Sequence, residues 1–125
     1  MRRAGVTIIA GTDAGYLNSF DYPGQSLHTE LALMVQYGLS PLAALQASII
    51  NGPGYFHLQQ QNGKIAKEFF ADLLVLDGNP LKDIANTRCI NSEIIKGRYL
   101  NRAVLDRHLK KIAAKAAASP FKSIE

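Results

Sequence analysis

Few residues in this chain are equipped for chemistry, and one of them keeps unusual company. Asp13 lies in Gly11-Thr12-Asp13-Ala14-Gly15, directly after the apolar run Val6-Thr7-Ile8-Ile9-Ala10. A carboxylate set among small residues can be approached closely. It can accept a proton, or offer a hard oxygen to an ion such as Zn²⁺ or Mn²⁺. His28 and Glu30 follow in Ser26-Leu27-His28-Thr29-Glu30-Leu31. The histidine has two readings, a substrate contact or a surface residue at a helix N-terminus. Glu30 reads as a capping or buried hydrogen-bonding carboxylate. The remaining candidates have plainer roles. His57 and His108 read as surface residues, and Asp72 as the anchor of a local turn. Asp77-Gly78-Asn79-Pro80 is a turn by composition. Tyr16, Phe20, Tyr22, Tyr55, Phe56, Phe69 and Phe70 read as core or subunit contact, and Cys89, beside Ile90, as an inert buried thiol.

The elements that must position these groups follow from periodicity and punctuation. Residues 6–10 are continuously apolar, which predicts a strand buried on both faces. Residues 16–27, with Pro23-Gly24, read as a loop. A helix is expected from about residue 28 to 37, ended by Gly38. Ser40-Pro41 opens a second helix, with Ser as the cap and Pro in the first turn. Asn51-Gly52-Pro53-Gly54 reads as its stop. Short strands are expected at Ile65, over 71–77, at 89–90 and over 93–96, then a tight turn at Lys96-Gly97-Arg98. From about 102 to 118 the chain reads as a helix with Val104, Leu105, Leu109, Ile112 and Ala116 on one stripe, ended by Ser119-Pro120. A lone parallel strand is physically odd, because its N–H and C=O groups need neighbours on both sides. That oddity suggests the end of something larger.

Bulk properties narrow the function classes. The chain has 125 residues and is 47% hydrophobic, 19% charged, which suits one globular domain. Its net charge of +4 comes from the C-terminal part. Residues 1–98 carry eight Lys/Arg and eight Asp/Glu, and residues 99–125 carry six against two. Basic residues spread over a folded face with interleaved aromatics are missing, so no nucleic-acid partner is expected. No apolar run approaches the length of a membrane span, so no membrane partner is expected either. The single Cys89 allows no intrachain disulfide, which fits a reducing, cytoplasmic setting. The glycines near Asp13 lack the Gly-Lys-Ser/Thr and G-x-G-x-x-G patterns of phosphate loops.

Taken in order, Gly11-Thr12-Asp13-Ala14-Gly15, Ser26-Leu27-His28-Thr29-Glu30-Leu31 and Gly38-Leu39-Ser40-Pro41-Leu42-Ala43-Ala44-Leu45-Gln46-Ala47 resemble the C-terminal part of metal-dependent amidohydrolases. The likeness is nearest to the imidazolonepropionase-like and prolidase-like branch. It continues through Gly63-Lys64-Ile65, residues 71–84 and Lys96-Gly97-Arg98-Tyr99-Leu100, covering about residues 4 to 108. The resemblance implies an α/β fold: a C-terminal fragment of a (β/α)8 barrel plus part of a small β-sandwich and a C-terminal helix. Residues 1–58 would be the end of the barrel, with the last strand at 5–10 and the helices after it. Residues 59–101 would belong to the sandwich, and residues 102–125 to an amphipathic helix and tail.

In that family Asp13 would bind a divalent metal, zinc being the expected ion, and shuttle protons from the attacking water. A carboxylate at the C-terminal end of a barrel strand lies where such sites form. The reaction implied is hydrolysis of C–N bonds in cyclic amides or peptide-like small molecules, with His28 as a substrate contact. The family's other ligands, a His-x-His pair among them, have no counterpart here, and one carboxylate cannot hold a catalytic metal. The chain alone is therefore expected to bind no metal and to be inactive. The alternative is a non-catalytic module that self-associates as a homo-oligomer, or completes a barrel with an N-terminal partner chain. One further departure is Glu68, which occupies the place where the family has glycine; a left-handed turn there would cost about 1 kcal/mol or more.

Overall fold

The computed structural model describes residues 5–14 and 22–118. The expected loop residues 16–21, Tyr16 and Phe20 among them, and the helix stop at Ser119-Pro120 lie outside these described residues.

Helix α1 runs Gln25–Gln36, three residues earlier than expected, after the turn at Pro23-Gly24. Gly24 takes a φ of 82° there. The helix ends as its glycine predicts. Gly38, at φ 102°, returns its N–H to the Val35 carbonyl, and Leu39 returns its own to Met34. These two bonds satisfy carbonyls that have no partner within the helix.

Ser40 then caps α2 (Pro41–Gln46) by accepting the Ala43 N–H at 3.3 Å. The expected stop at Asn51-Gly52-Pro53-Gly54 does not occur. The helix widens into a π-turn over Ala47–Asn51 and continues as α3, Gly52–Tyr55. Pro53 is tolerated because it sits in the first turn of α3, where a missing N–H costs little.

The rest is a three-stranded antiparallel sheet, β1 (Leu73–Leu76), β2 (Ile90–Ile95) and β3 (Arg98–Leu100), in that order. Leu74 faces Glu93 and Val75 faces Ser92, but Leu76 faces Ile90. Asn91 is thus the extra residue of a bulge, and its Nδ2 donates to Asp77 Oδ1 at 2.8 Å. Lys96 and Gly97 join β2 to β3 with φ 49° and 75°, the mirror-image turn that suits twisted strands. Asp72 does anchor this turn, its Oδ1 accepting the Lys96 N–H at 2.6 Å. Ile65 belongs to no strand and is 88% exposed.

A 3₁₀ turn, Ile84–Arg88, links β1 to β2 and packs on α1. Leu31 of α1, Ala44 of α2 and Ile84 form the buried cluster, with Leu27, Met34, Val35 and Leu45 around it. The core therefore sits where the helices meet the turn that leads into the sheet.

Helix α4 (Arg102–Ala118) is capped by Asn101, which accepts the Val104 N–H at 3.0 Å. Its apolar stripe is only partly used. Val104 and Leu105 are half-buried beside the sheet, but Leu109 and Ile112 are exposed, since the short β2–β3 hairpin covers only the first turns. Cys89 is likewise exposed, not buried: it is the last residue before β2, and its side chain escapes the core that Ile84 and Thr87 enter. Glu68 adopts φ 72°, so the turn keeps its left-handed geometry with a glutamate in it. No helix among the described residues is long and apolar enough to cross a membrane.

Candidate active site

Residues 6–10 are the largest departure from expectation. They form no strand, and Val6 is 54% exposed. The physical reason is the one that made a lone strand odd: the described sheet is antiparallel and built from residues 73–100, so nothing there offers this segment a parallel neighbour. Its backbone is held by other means. The Ala10 N–H donates to the Ala47 carbonyl at 3.1 Å, and Asn51 Nδ2 donates to the Ile8 carbonyl at 2.8 Å. Both partners lie in the π-turn, whose wider coil is a frequent companion of functional sites. In the sequence Asn51 is only part of a stop signal, and its position before Gly52-Pro53 contains no hint of this pairing.

The next attachment is a side chain of α1. Glu30 Oε1 accepts the Gly11 N–H at 2.8 Å, and Oε2 is buried with no hydrogen-bond partner among the described residues. Of the two roles expected for Glu30, capping and hydrogen bonding, it takes the second. Two residues on, Asp13 is exposed and takes φ 53°. The left-handed region is uncommon for a residue with a side chain, although Asp tolerates it better than most. Thr12 frames the turn, its Oγ1 accepting the Ala14 N–H at 3.3 Å.

His28 lies elsewhere on α1. Its Nδ1 is 3.1 Å from Thr87 Oγ1, and Thr87 spends its single hydroxyl hydrogen on the Ile84 carbonyl at 2.9 Å. Nδ1 must therefore carry the proton and donate, which leaves Nε2 as an acceptor. Burial, aided by the nearby Arg88 guanidinium, lowers the His28 pKa below its ordinary 6.5. Arg88 is itself held by Thr29, its Nη2 donating to Oγ1 at 2.8 Å. His28 lines a cavity of about 420 Å³ between α1, α2 and β1, bounded also by Ser48, Phe70 and Asp72. Asp13 does not line it, so the two candidate residues are not brought into one pocket.

Asp13 suits a divalent cation as a single oxygen ligand. Among the described residues, however, no three His, Cys, Asp or Glu side chains gather to hold one. The described residues do not make a metal site by themselves.

A carboxylate in a left-handed turn, followed by helices and a small antiparallel sheet, is the arrangement these residues present. The amidohydrolase family profile matches residues 1–100. The chain belongs to the amidohydrolase family.

Its likeness falls on the prolidase-like side. A proposed prolidase from Bifidobacterium longum superposes with a TM-score of 0.70 at 29% identity, covering 90% of this chain and 28% of that one. Molinate hydrolase superposes at 0.66 with 27% identity, covering 78% and 24%. Ochratoxinase of Aspergillus niger is 36% identical over 84 residues, 66% of this chain and 16% of the ochratoxinase. The chain thus spans about a sixth of the length of the curated relative it matches.

Proposed function

We propose that this chain contributes the closing part of the active site of a metal-dependent amidohydrolase that cleaves C–N bonds in peptide-like or cyclic-amide small molecules. In this reading residues 1–58 end a (β/α)8 barrel, residues 59–101 are part of its small sandwich, and residues 102–125 form a terminal helix and tail. The observation that carries the proposal is Asp13: an exposed carboxylate in a left-handed turn, at the end of a segment pinned at Ile8, Ala10 and Gly11. Strain of this kind collects at functional sites, where surrounding bonds hold it in place.

Asp13 would accept the proton of the attacking water and return it to the departing nitrogen, which leaves far more readily as an amine than as an anion. Zinc is the expected ion of the complete enzyme, with Asp13 one of its ligands. His28 would meet the substrate through Nε2, the nitrogen that Thr87 leaves free. The membership in the amidohydrolase family supports the reaction class, and the prolidase-like and ochratoxinase relatives support the substrate class.

The test compares the chain alone, and mixed with any polypeptide encoded upstream of it in the same gene, against Xaa-Pro dipeptides, N-acyl amino acids and cyclic amides, with zinc supplied. Turnover is expected only in the mixture. Asp13→Asn is expected to lower kcat there by at least about 100-fold, the usual share of a positioned acid–base group. An Asp13→Asn protein that keeps full turnover would refute the assignment. Many large apolar side chains, Val6, Ile9, Ile49 and Ile50 among them, are exposed in the chain by itself. They favour a second reading, a surface that a second copy or a partner chain covers. A chain that runs as a monomer in light scattering, and stays so when mixed, would count against it.

A further inference from the structure

We propose that Glu30 is a positioning residue for Asp13, acting through the backbone of Gly11. The inference rests on the reading of Asp13 given above. Glu30 belongs to α1, yet its carboxylate leaves the helix surface to bind a main-chain N–H 19 residues earlier in the chain, at 2.8 Å. A hydrogen bond from a backbone N–H to a carboxylate is charge-assisted, and roughly twice as strong as a neutral one. The second oxygen is buried and unpartnered among the described residues. Burying such an atom is unfavourable, so the group does not rest there by default and its placement calls for an account.

The location of the bond supplies that account. Gly11 directly follows the residues held by the π-turn, Ile8 and Ala10, and the Thr12–Ala14 turn closes around Asp13 directly after it. With Gly11 clamped on one side and Ala14 tied to Thr12 on the other, the backbone between has little freedom. Asp13 is thereby held at φ 53°. Glu30 touches neither substrate nor ion in this account. It sets where the Asp13 carboxylate points. A displacement of about an ångström at a reacting group is enough to cost about 100-fold in rate.

The experiment uses Glu30→Ala and Glu30→Gln, with Asp13→Asn as a reference, and two readouts. The first is hydrogen exchange of the Gly11 amide in the full chain. Glu30→Ala is expected to speed it at least about tenfold, and Glu30→Gln, whose amide oxygen still accepts, by about threefold or less. The second is steady-state kinetics in the assembly that turns over substrate. Glu30→Ala is expected to lower kcat about ten- to a hundredfold with KM changed less than about threefold, and Glu30→Gln to recover most of kcat. A purely structural role would lower the melting temperature and the amount of active enzyme without this split, and without rescue by Gln.

Unchanged Gly11 exchange in Glu30→Ala, or a loss confined to KM, overturns the proposal. Should Asp13→Asn leave turnover intact, it is the reading of Asp13 that fails, and the Gly11 exchange rate still decides whether Glu30 sets the geometry of this loop.

Discussion

Replacing Asn51 should loosen the segment that carries Asp13 while leaving the core in place. Asn51 Nδ2 donates to the Ile8 carbonyl at 2.8 Å in a part-buried setting, and the neighbouring Ala10 N–H donates to Ala47. Asn51→Ala removes one neutral hydrogen bond, worth about 1 kcal/mol net. Asn51→Asp is more severe: a carboxylate oxygen then faces the Ile8 carbonyl, and two acceptors at that distance repel. The loss should be about 2–3 kcal/mol. If residues 8–11 open as a local unit, these losses translate into opening constants raised about fivefold for Ala and about 30- to 150-fold for Asp.

The assay is exchange of the Ala10 amide, which is protected only while the segment stays docked. Amides of α1 around Leu31, in the buried cluster, serve as the internal control and should change little. The order wild type, Ala, Asp is the signature of the mechanism. An Asn51→Asp protein whose Ala10 amide exchanges within about twofold of wild type would refute the idea that the π-turn holds this segment. Equal acceleration at Ala10 and Leu31 would show global destabilisation in its place.

Other outcomes follow from backbone strain and titration. Lys96→Asn should raise the unfolding free energy, read from urea titration, by about 0.5–1 kcal/mol, because Lys96 and Gly97 both have positive φ and Asn accepts that conformation more readily. Gly63→Ala should lower it by about 2 kcal/mol at unchanged m-value: Gly63 sits at φ 87°, and a Cβ there would lie 2.8 Å from the Ile49 carbonyl oxygen. His28 should make stability fall with acid. Burial, then Arg88, lowers its pKa in the folded chain, so the unfolded chain takes up the proton first. The stability due to neutral His28 is present above pH 6.5 and is lost as pH falls below that value towards the folded pKa. The melting temperature should therefore drop between pH 7 and 5, and His28→Gln should flatten that part of the curve.

What could be read along the chain was whatever depends on adjacent residues. Ser40-Pro41 opens a helix because the serine oxygen and the proline ring act within one turn. Gly38 closes one because only a residue without Cβ enters φ 102° without strain. The strand at 73–76 follows from its apolar run, and the Lys96-Gly97 turn from its glycine. The resemblance to amidohydrolases rests on the same short motifs and their order, and the family match over residues 1–100 bears it out.

Partnerships between distant residues were invisible. Residues 6–10 have a strand's composition, but a strand exists only with a hydrogen-bonding neighbour, and here their bonds go to Ala47 and Asn51. Cys89 and Ile112 looked apolar enough to bury, yet burial depends on what packs above them, and nothing described does. His28 acquires its tautomer from Thr87, and its lowered pKa from burial and then from Arg88, partners about 60 residues further on. The sequence by itself determined the local turns, the caps and the carboxylate on a small-residue loop. The tertiary structure decided which side chains hold that loop, because Glu30 and Asn51 reach Gly11 and Ile8 only once α1 and the π-turn have packed beside it.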